Sequence, residues 1–259
     1  MDEPAIAFRE VIYRAQGRVL LGPLDLEVRR GETLVLLGRS GSGKTTALKL
    51  INRLLEESDG VVLVDGRPTR DWEVITLRRH IGYVIQETGL FPHYTVERNV
   101  GLVPRLLGRP EPDIRVRVDS MLRLVDLDPQ EFRQRYPHQL SGGQRQRVGV
   151  ARALAADPEI LLMDEPFGAL DPLSRAEVQK QFLEVQKRVQ KTTVLVTHDV
   201  GEALLLASRI ALLEQGRLKG IYSRSQFLES PDATVAAYRA AWSGNLEFRA
   251  GDDRHGRVS

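Results

Sequence analysis

The chain contains no cysteine, and no apolar run in its 259 residues approaches the ~20 residues needed to span a bilayer. Without cysteine there is no disulfide scaffold and no thiolate metal site, which fits a reducing compartment. Neither sign of charge dominates, since 37 Lys+Arg face 35 Asp+Glu, so charge gives no case for a nucleic-acid partner. The N-terminal residues Met1–Pro4 lack the basic and apolar regions of a signal peptide. We therefore expect a folded protein whose membrane role, if it has one, is peripheral.

A glycine-rich loop fits the phosphate-binding pattern G-x-x-x-x-G-K-[ST] and is expected to contact a nucleotide through Gly38, Arg39, Ser40, Gly41, Ser42, Gly43, Lys44, Thr45 and Thr46. The apolar run before it, 33–37, predicts a buried strand, and residues 47–54 after it predict a helix. Glycines let backbone N–H groups point at phosphate oxygens, and the helix N-terminus adds partial positive charge. Lys44 is expected to reach the β- and γ-phosphates, and the Thr45 hydroxyl to ligate Mg²⁺. The alternative, a glycine-rich turn that binds nothing, does not explain the flanking strand and helix.

Apolar periodicity divides the rest of the chain into strand-rich and helical parts. Strands are predicted at 6–8, 19–21, 24–28, 60–64, 81–85, 160–163 and 193–197. Residues 95–139 read as helices interrupted by proline, so the simplest interpretation is a helical insertion between two strand-rich parts. Further helices are predicted at 173–191, after the capping Asp199, and at 225–229 and 232–242, with a hairpin over 209–222 that turns at Gln215-Gly216.

A pair of carboxylates, Asp164 and Glu165, ends the apolar strand at 160–163. In a phosphate-binding protein a carboxylate at such a strand end holds Mg²⁺, directly or through water. A glutamate directly after it is placed to orient or deprotonate an attacking water. The alternative is a solvated acidic pair at a strand end, and the four apolar residues before it favour the functional interpretation.

A second helix start carries the features of an anion site, in the segment Leu140–Gln144. A Ser-Gly-Gly run at a helix N-terminus presents N–H groups that have no partner inside the helix. One nucleotide needs only one phosphate loop, so this second site is expected to complete a nucleotide site on another copy of the chain, in a two-fold dimer. An ordinary Ser/Gly helix cap explains the segment equally well when it is considered alone.

Taken together, these motifs resemble those of ABC transporter ATPase subunits across residues 5–220. The order and spacing match: a Walker A loop at 38–46, the Q-loop Gln86, the signature at 140–144, Walker B at 160–165, the D-loop at 169–171 and the switch histidine His198. The resemblance implies that Gln86 senses Mg²⁺ or the attacking water, and that His198 touches the γ-phosphate. It further implies ATP binding in trans by Ser141, Gly142, Gly143, Gln144 and Asp171.

The adenine contact is where the chain departs from that pattern. ATPases of this family stack adenine on an aromatic residue near the N-terminus, and aligning Val11 and Leu24 with the pattern puts Ala15 at that position. Tyr13 lies two residues earlier and on the same face of a regular strand. Tyr13 is therefore the candidate for stacking, in a shifted position.

The resemblance implies an α/β fold, a P-loop NTPase (RecA-like) core with an N-terminal antiparallel β subdomain and an inserted α-helical subdomain. We expect one ATPase domain over residues 1–242. Its nucleotide-binding core comprises 5–86 and 145–222, its helical signature subdomain 87–144, and its C-terminal helices 223–242. The polar, Gly/Arg-rich residues 243–259 are expected to be disordered.

Within the family, the segment Phe91-Pro92-His93 and its surroundings resemble importers, most of all the group that takes up osmoprotectants such as glycine betaine, carnitine and choline. The resemblance implies a catalytic cycle in which Lys44, Gln86, Glu165 and His198 act on ATP, with Mg²⁺ held by Thr45, Gln86 and Asp164. The implied partners are a second copy of the chain, a transmembrane permease that contacts the region after Gln86, and an extracytoplasmic solute-binding protein. The implied location is peripheral, at the cytoplasmic face of the cell membrane.

Three alternatives remain at this point. An ABC importer ATPase for a different small solute would share every motif. A soluble ABC ATPase acting on DNA or ribosomes would be expected to carry long coiled coils or a second cassette, and neither is seen in the sequence. A P-loop enzyme outside the ABC family, such as a small-molecule kinase, is disfavoured by the Leu140–Gln144 signature.

Overall fold

The computed structural model describes residues 3–86 and 89–252, with side chains up to residue 243. The described residues form a six-stranded sheet and a four-stranded sheet, together with helices that cover the larger sheet. No helix in this part of the chain is long and apolar enough to cross a bilayer. The predicted α/β class is confirmed.

The larger sheet has the strand order β10-β9-β3-β8-β7-β6. All neighbours pair in parallel except β9 and β10, which form the predicted antiparallel hairpin. The central strands are apolar and buried throughout, because helices or the smaller sheet cover both faces. The strands are β3 (Thr33–Leu37), β6 (Ile81–Val84), β7 (Ile160–Asp164), β8 (Thr192–Thr197), β9 (Arg209–Glu214) and β10 (Arg217–Tyr222).

The smaller sheet is antiparallel, in the order β2-β1-β4-β5, and comprises β1 (Ile6–Ala15), β2 (Arg18–Val28), β4 (Asp59–Val64) and β5 (Arg67–Pro68). The sequence predicts two strands where the structure has the single strand β2. Gly22-Pro23 separates the two predicted strands, and β2 continues through it because β2 lies at the edge of this sheet, where one side of a strand needs no ladder hydrogen bonds and proline is tolerated.

Helices α3 to α6 lie between β6 and β7, where a helical insertion was predicted. The predicted cap is confirmed, since the Asp199 side chain accepts a hydrogen bond from the Glu202 N–H. The helices are α1 (Lys44–Ile51), α2 (Val74–His80), α3 (Val96–Val100), α4 (Leu102–Leu106), α5 (Glu111–Leu124), α6 (Pro129–Phe132), α7 (Gly142–Leu154), α8 (Pro172–Val189), α9 (Val200–Leu206), α10 (Arg224–Glu229) and α11 (Ala233–Asp252), with 3₁₀ turns at Thr69–Asp71 and Pro137–Gln139.

Two apolar cores lie on opposite faces of the larger sheet. Alternating residues of β3 divide between them, Leu34 and Leu36 facing α1 and the smaller sheet, Val35 and Leu37 facing the helices α5, α7 and α8. The strand that leads into the phosphate loop is therefore held from both sides. A rigid strand end is what a loop needs to present its backbone N–H groups in a constant arrangement.

The last helix, α11, extends past the helix end predicted at residue 242, as far as Asp252. The first part of the tail expected to be disordered, 243–259, is therefore helical in this structure. The remaining part, 253–259, lies outside the described residues.

Candidate functional site

The chemistry-bearing segments follow the carboxyl ends of neighbouring parallel strands. The phosphate loop follows β3, His198 follows β8, Asp164 ends β7 with Glu165 next, and Gln86 lies in the turn after β6. These strands are contiguous in the order β3-β8-β7-β6, so the segments meet at one edge of the sheet. Ligands of open α/β sheets bind at this edge.

The phosphate loop is closed by glycines at positions where a side chain would not fit. Gly43 caps α1 with φ 95°, and an added Cβ would lie 2.9 Å from Leu21 Cδ1. At Gly38 an added Cβ would lie 2.3 Å from the Leu213 carbonyl oxygen. The first position requires a left-handed backbone and the second a close backbone approach, and only glycine supplies both without strain.

Lys44 is 4% exposed, and its ammonium lies inside the loop. Nζ donates hydrogen bonds to the carbonyl oxygens of Gly38 at 2.8 Å and Arg39 at 2.9 Å. Burial lowers the pKa of Lys44, and the negative charges of Glu165 and Asp164 oppose that shift. The Ser42 hydroxyl is also buried and has no hydrogen-bond partner among the described residues. A cationic amine and an unpaired hydroxyl in one loop suit an anionic ligand with several oxygens.

Thr45 and Asp164 meet across the strand ends, with Thr45 Oγ1 donating to Asp164 Oδ1 at 2.9 Å. Burial is the main cause that raises the pKa of Asp164, against the effect of this hydrogen bond. A hydroxyl and a carboxylate are hard oxygen donors of the kind that Mg²⁺ prefers. Among the described residues no three His, Asp or Glu side chains cluster as a metal site. The pair therefore suits a metal that keeps water and phosphate oxygens as its other ligands.

Glu165 lies directly after β7, in a left-handed backbone conformation with φ 42°. This conformation is uncommon for a residue other than glycine, and such positions concentrate at functional sites. Its N–H donates to the Val196 carbonyl at 3.0 Å, and its Oε2 lies 3.3 Å from His198 Nδ1. The His198 side chain remains 59% exposed. A carboxylate and an imidazole are thus held together beside the phosphate loop.

The segment Leu140–Gln144 begins α7 and forms a reciprocal cap. The Ser141 hydroxyl accepts from the Gln144 N–H at 3.2 Å, while Gln144 Oε1 accepts from the Ser141 N–H at 2.9 Å. The ordinary cap that the sequence left open as an alternative is therefore present. It does not exclude anion binding, because the Ser141 hydroxyl still has its own proton to donate.

With the geometry established, comparison with known proteins assigns the family. The profile of the ABC transporter family matches residues 21–168, more than half of the chain. The chain belongs to the ABC transporter family. It is 51% identical over 208 residues to the osmoprotectant import ATP-binding protein OsmV of Salmonella typhimurium, covering 80% of this chain and 54% of that protein. It is 48% identical over 220 residues to the glycine betaine/carnitine/choline transport ATP-binding protein OpuCA of Bacillus subtilis, covering 85% of this chain and 57% of that protein.

The chain spans about half the length of these ABC relatives. Among solved structures, the dimeric ATP-binding cassette MJ0796 in a post-hydrolysis state bound to ADP and Pi superposes with a TM-score of 0.74 at 33% identity. The alignment covers 85% of this chain and 98% of the cassette. The predicted fold of an ABC cassette is thereby confirmed.

Some of the ABC motif residues contact one another through their side chains, and others lie in separate positions. Side-chain contacts connect Thr45 with Asp164 and Glu165 with His198. Gln86 is exposed in the turn after β6. Asp171 caps α8 by accepting from the Ser174 N–H at 3.1 Å, and the side-chain hydrogen bond with Ser174 is the main cause that lowers its pKa.

Tyr13, the candidate for adenine stacking, lies in β1 opposite Leu21. It is partly buried and packs against the core of the smaller sheet. Leu21 itself reaches the phosphate loop, as the close approach of its Cδ1 to Gly43 shows. The Tyr13 strand is therefore next to the loop through its partner strand, and the role of the Tyr13 ring remains a prediction.

Tyr83 is a residue of this ABC site that the sequence did not single out. Burial, together with the negative charge of the nearby Asp164 carboxylate, raises the pKa of Tyr83 to about 12. The phenol therefore stays protonated beside the carboxylate. The only signal in the sequence is a tyrosine within an otherwise apolar strand, three residues before Gln86.

Proposed function

We propose that the chain is the ATP-hydrolysing subunit of an ABC importer, acting as a homodimer that binds two ATP molecules between its copies. The observation that supports this most is the set Lys44, Thr45, Asp164, Glu165 and His198, which the ends of β3, β7 and β8 bring to one edge of the sheet. Phosphoryl transfer to water needs positioned charges more than covalent chemistry, and this set supplies them.

The residues divide the work as follows. Lys44 exchanges its two loop carbonyls for phosphate oxygens, since the ammonium already lies inside the loop. Thr45 and Asp164 hold the Mg²⁺ that accompanies ATP, and this ion neutralises charge on the phosphates when bound. Glu165 orients and polarises the attacking water. His198, 3.3 Å from Glu165, donates to the γ-phosphoryl oxygens, and Gln86 senses the metal or the water.

The second half of each site comes from the other copy in this proposal. Ser141, Gly142, Gly143 and Gln144 begin α7, and the Ser141 hydroxyl has a proton free to donate. Asp171 connects the two sites from the start of α8. The dimeric cassette MJ0796, with ADP and Pi bound, supports an arrangement of two copies. ATP binding would close the dimer, and hydrolysis would release it.

A permease is proposed to dock on the aromatic surface formed by Phe91, His93 and Tyr94. Phe91 is 41% exposed, and its ring centroid lies 5.3 Å from that of Tyr94. The buried Asn99 side chain accepts from the Phe91 N–H at 2.8 Å and donates to the Phe91 carbonyl at 3.1 Å. An exposed aromatic cluster on a fixed backbone suits a protein partner. The chain would then lie at the cytoplasmic face of the membrane.

We propose an osmoprotectant of the quaternary amine class as the transported solute, supplied by an extracytoplasmic solute-binding protein. The names and 48–51% identities of OsmV and OpuCA support this class. The solute would pass through the permease rather than bind this chain. Uptake of radiolabelled glycine betaine by vesicles containing the chain and its permease tests the solute class, with sulfate as the contrasting solute.

The variant Glu165→Gln tests the catalytic core. Because the amide cannot accept a proton, we expect turnover to fall by a factor of about 100 to 10,000, while ATP binding is retained. We also expect a stable ATP-dependent dimer in size-exclusion chromatography, since the bound nucleotide is no longer consumed. Turnover at the wild-type rate would contradict the role given to Glu165.

A further inference from the structure

A buried carboxylate behind the switch histidine takes no part in the chemistry described so far. Glu202 in α9 is 5% exposed and accepts two side-chain hydrogen bonds. Thr197 Oγ1 donates to its Oε2 at 2.6 Å, and Gln179 Nε2 donates to its Oε1 at 3.1 Å. These donors belong to β8 and α8, so this one side chain connects three elements.

The first of these bonds closes the turn that carries His198. The Thr197 hydroxyl, which donates to Glu202, also accepts from the Asp199 N–H at 3.0 Å. The Asp199 side chain in turn accepts from the Glu202 N–H at 3.1 Å. Both neighbours of His198 are therefore held in one ring of hydrogen bonds that contains Glu202. The backbone at His198 cannot shift relative to Glu202 unless this ring opens.

The second bond leads to the D-loop. Gln179 lies in α8, the helix that Asp171 caps. Arg175 forms a parallel connection, since its Nη2 donates to the Leu170 carbonyl at 3.2 Å and its Nη1 lies 3.8 Å from Asp199 Oδ2. Helix α8 is thus connected to the turn that carries His198 in two ways. One is the buried hydrogen bonds of Glu202 with Gln179 and Thr197, and the other is the longer ion pair between Arg175 and Asp199.

We propose that Glu202 is a positioning residue: through Thr197 it sets the place of His198, and through Gln179 it couples that place to the D-loop helix. A shift of α8 on dimer closure would then move the His198 turn with it. The inference rests on the proposed function, in which His198 donates a hydrogen bond to the γ-phosphoryl group.

A purely structural role for Glu202 predicts that its replacement lowers the melting temperature of the protein, whereas a positioning role does not require this. Burial raises the pKa of Glu202, opposed by its hydrogen bonds from Thr197 and Gln179 and by Arg175, and assisted by Asp199. A carboxyl with a raised pKa stabilises the fold below its unfolded pKa and loses that contribution as the pH rises through its folded value. At neutral pH the amide of Glu202→Gln removes the cost of a buried charge but also loses one of the two hydrogen-bond acceptors, so we expect a melting temperature close to that of wild type.

The test compares Glu202→Gln, Thr197→Val and the exposed control Glu184→Gln in α8, using the full chain assembled with its permease. We expect kcat for ATP to fall about tenfold in the first two variants, with KM within about twofold, because a displaced His198 affects the reaction more than binding. Thr197→Ser, which keeps the hydroxyl, should restore most of the activity lost in Thr197→Val. Glu184 forms an exposed ion pair with Lys187 and has no contact with the turn that carries His198 among the described residues, so its variant should behave as wild type.

Two further measurements decide between positioning and mere stability. In a His198→Ala background, Glu202→Gln should cause no additional loss of kcat, since its effect passes through the histidine. Hydrogen exchange of the Asp199 amide, which needs no turnover, should become about tenfold faster in Glu202→Gln and in Thr197→Val. Additive losses in the double variant, or unchanged exchange, would overturn the inference. A wild-type chain without ATPase activity would instead overturn the proposed function, and the exchange result would still stand.

Discussion

Two helix starts in this chain have the composition of phosphate sites, and the structure treats them differently. At the start of α1, Lys44 donates to carbonyls of its own loop, and Thr45 reaches across the fold to Asp164. At the start of α7 the cap is entirely local, with Ser141 and Gln144 satisfying each other. One site draws on several strand ends, and the other lies at the start of a separate helix.

The difference indicates which half of the nucleotide site is complete within one chain. Charged groups are buried around the phosphate loop, and burial lowers the pKa of Lys44 and raises that of Asp164. At the exposed Ser141, the hydrogen bonds of the side chain and backbone N–H are those of its own cap with Gln144. Under the proposed function, the first half therefore binds the nucleotide by itself, whereas the second half adds contacts only when another copy of the chain brings the nucleotide to it.

Breaking each half separately gives the largest expected effect. Lys44→Ala removes the two charge-assisted hydrogen bonds that the ammonium is proposed to donate to phosphate oxygens. At about 1.5 kcal/mol each, their loss should lower the affinity for ATP about 100-fold. Ser141→Arg should leave ATP binding to the single chain unchanged and abolish turnover, because it removes the contribution of the α7 start to the partner's nucleotide site. Calorimetry measures the affinity for ATP, and phosphate release measures turnover.

Mixing these two variants sharpens the comparison. A mixed dimer contains one intact site, made of the phosphate loop of the Ser141→Arg chain and the α7 start of the Lys44→Ala chain. We expect turnover to reappear on mixing. Ser223→Arg is the matched control, because Ser223 caps α10 with the same reciprocal box outside the site. If the mixture of Lys44→Ala and Ser141→Arg chains stays inactive while the Ser223→Arg chain is active, the proposal of a nucleotide site shared between two copies is contradicted.

Much of the first half was predictable, because its signals are local. The strand, loop and helix around Lys44 follow one another in the sequence, and the apolar run before Asp164 marks a strand end. Contacts that depend on strand order were not predictable in the same way. Tyr83 reaches Asp164 only because β6 pairs with β7, and Glu202 reaches Gln179 only because α9 packs on α8. Single-sequence periodicity identifies strands and helices but does not determine which of them are neighbours.

Tyr13 tests whether the first half also holds the adenine. If its ring stacks on the base, Tyr13→Ala should raise the KM for ATP about tenfold and leave kcat nearly unchanged, as expected for loss of a stacking contact of 1 to 2 kcal/mol, roughly. Tyr13→Phe keeps the ring and is the control. The partial burial of Tyr13 against the small-sheet core requires a melting curve for each variant. An unchanged KM in a folded Tyr13→Ala chain would show that Tyr13 does not contact the adenine and that the first half binds only the phosphates of ATP.

The smallest effect separates the two halves by stability rather than activity. Ser141→Ala removes a helix cap and should cost about 1 kcal/mol of unfolding free energy, as should the matched Ser223→Ala. Lys44→Met should cost less, because burial lowers the pKa of Lys44 and its charged form therefore destabilises the fold at neutral pH. That destabilisation shrinks as the pH rises towards the unfolded value of about 10.4, so the relative gain of Lys44→Met should shrink with it. Urea unfolding at neutral and alkaline pH measures the difference. A larger loss in Lys44→Met than in Ser141→Ala would show that the phosphate loop stabilises the fold instead of being held in place by it.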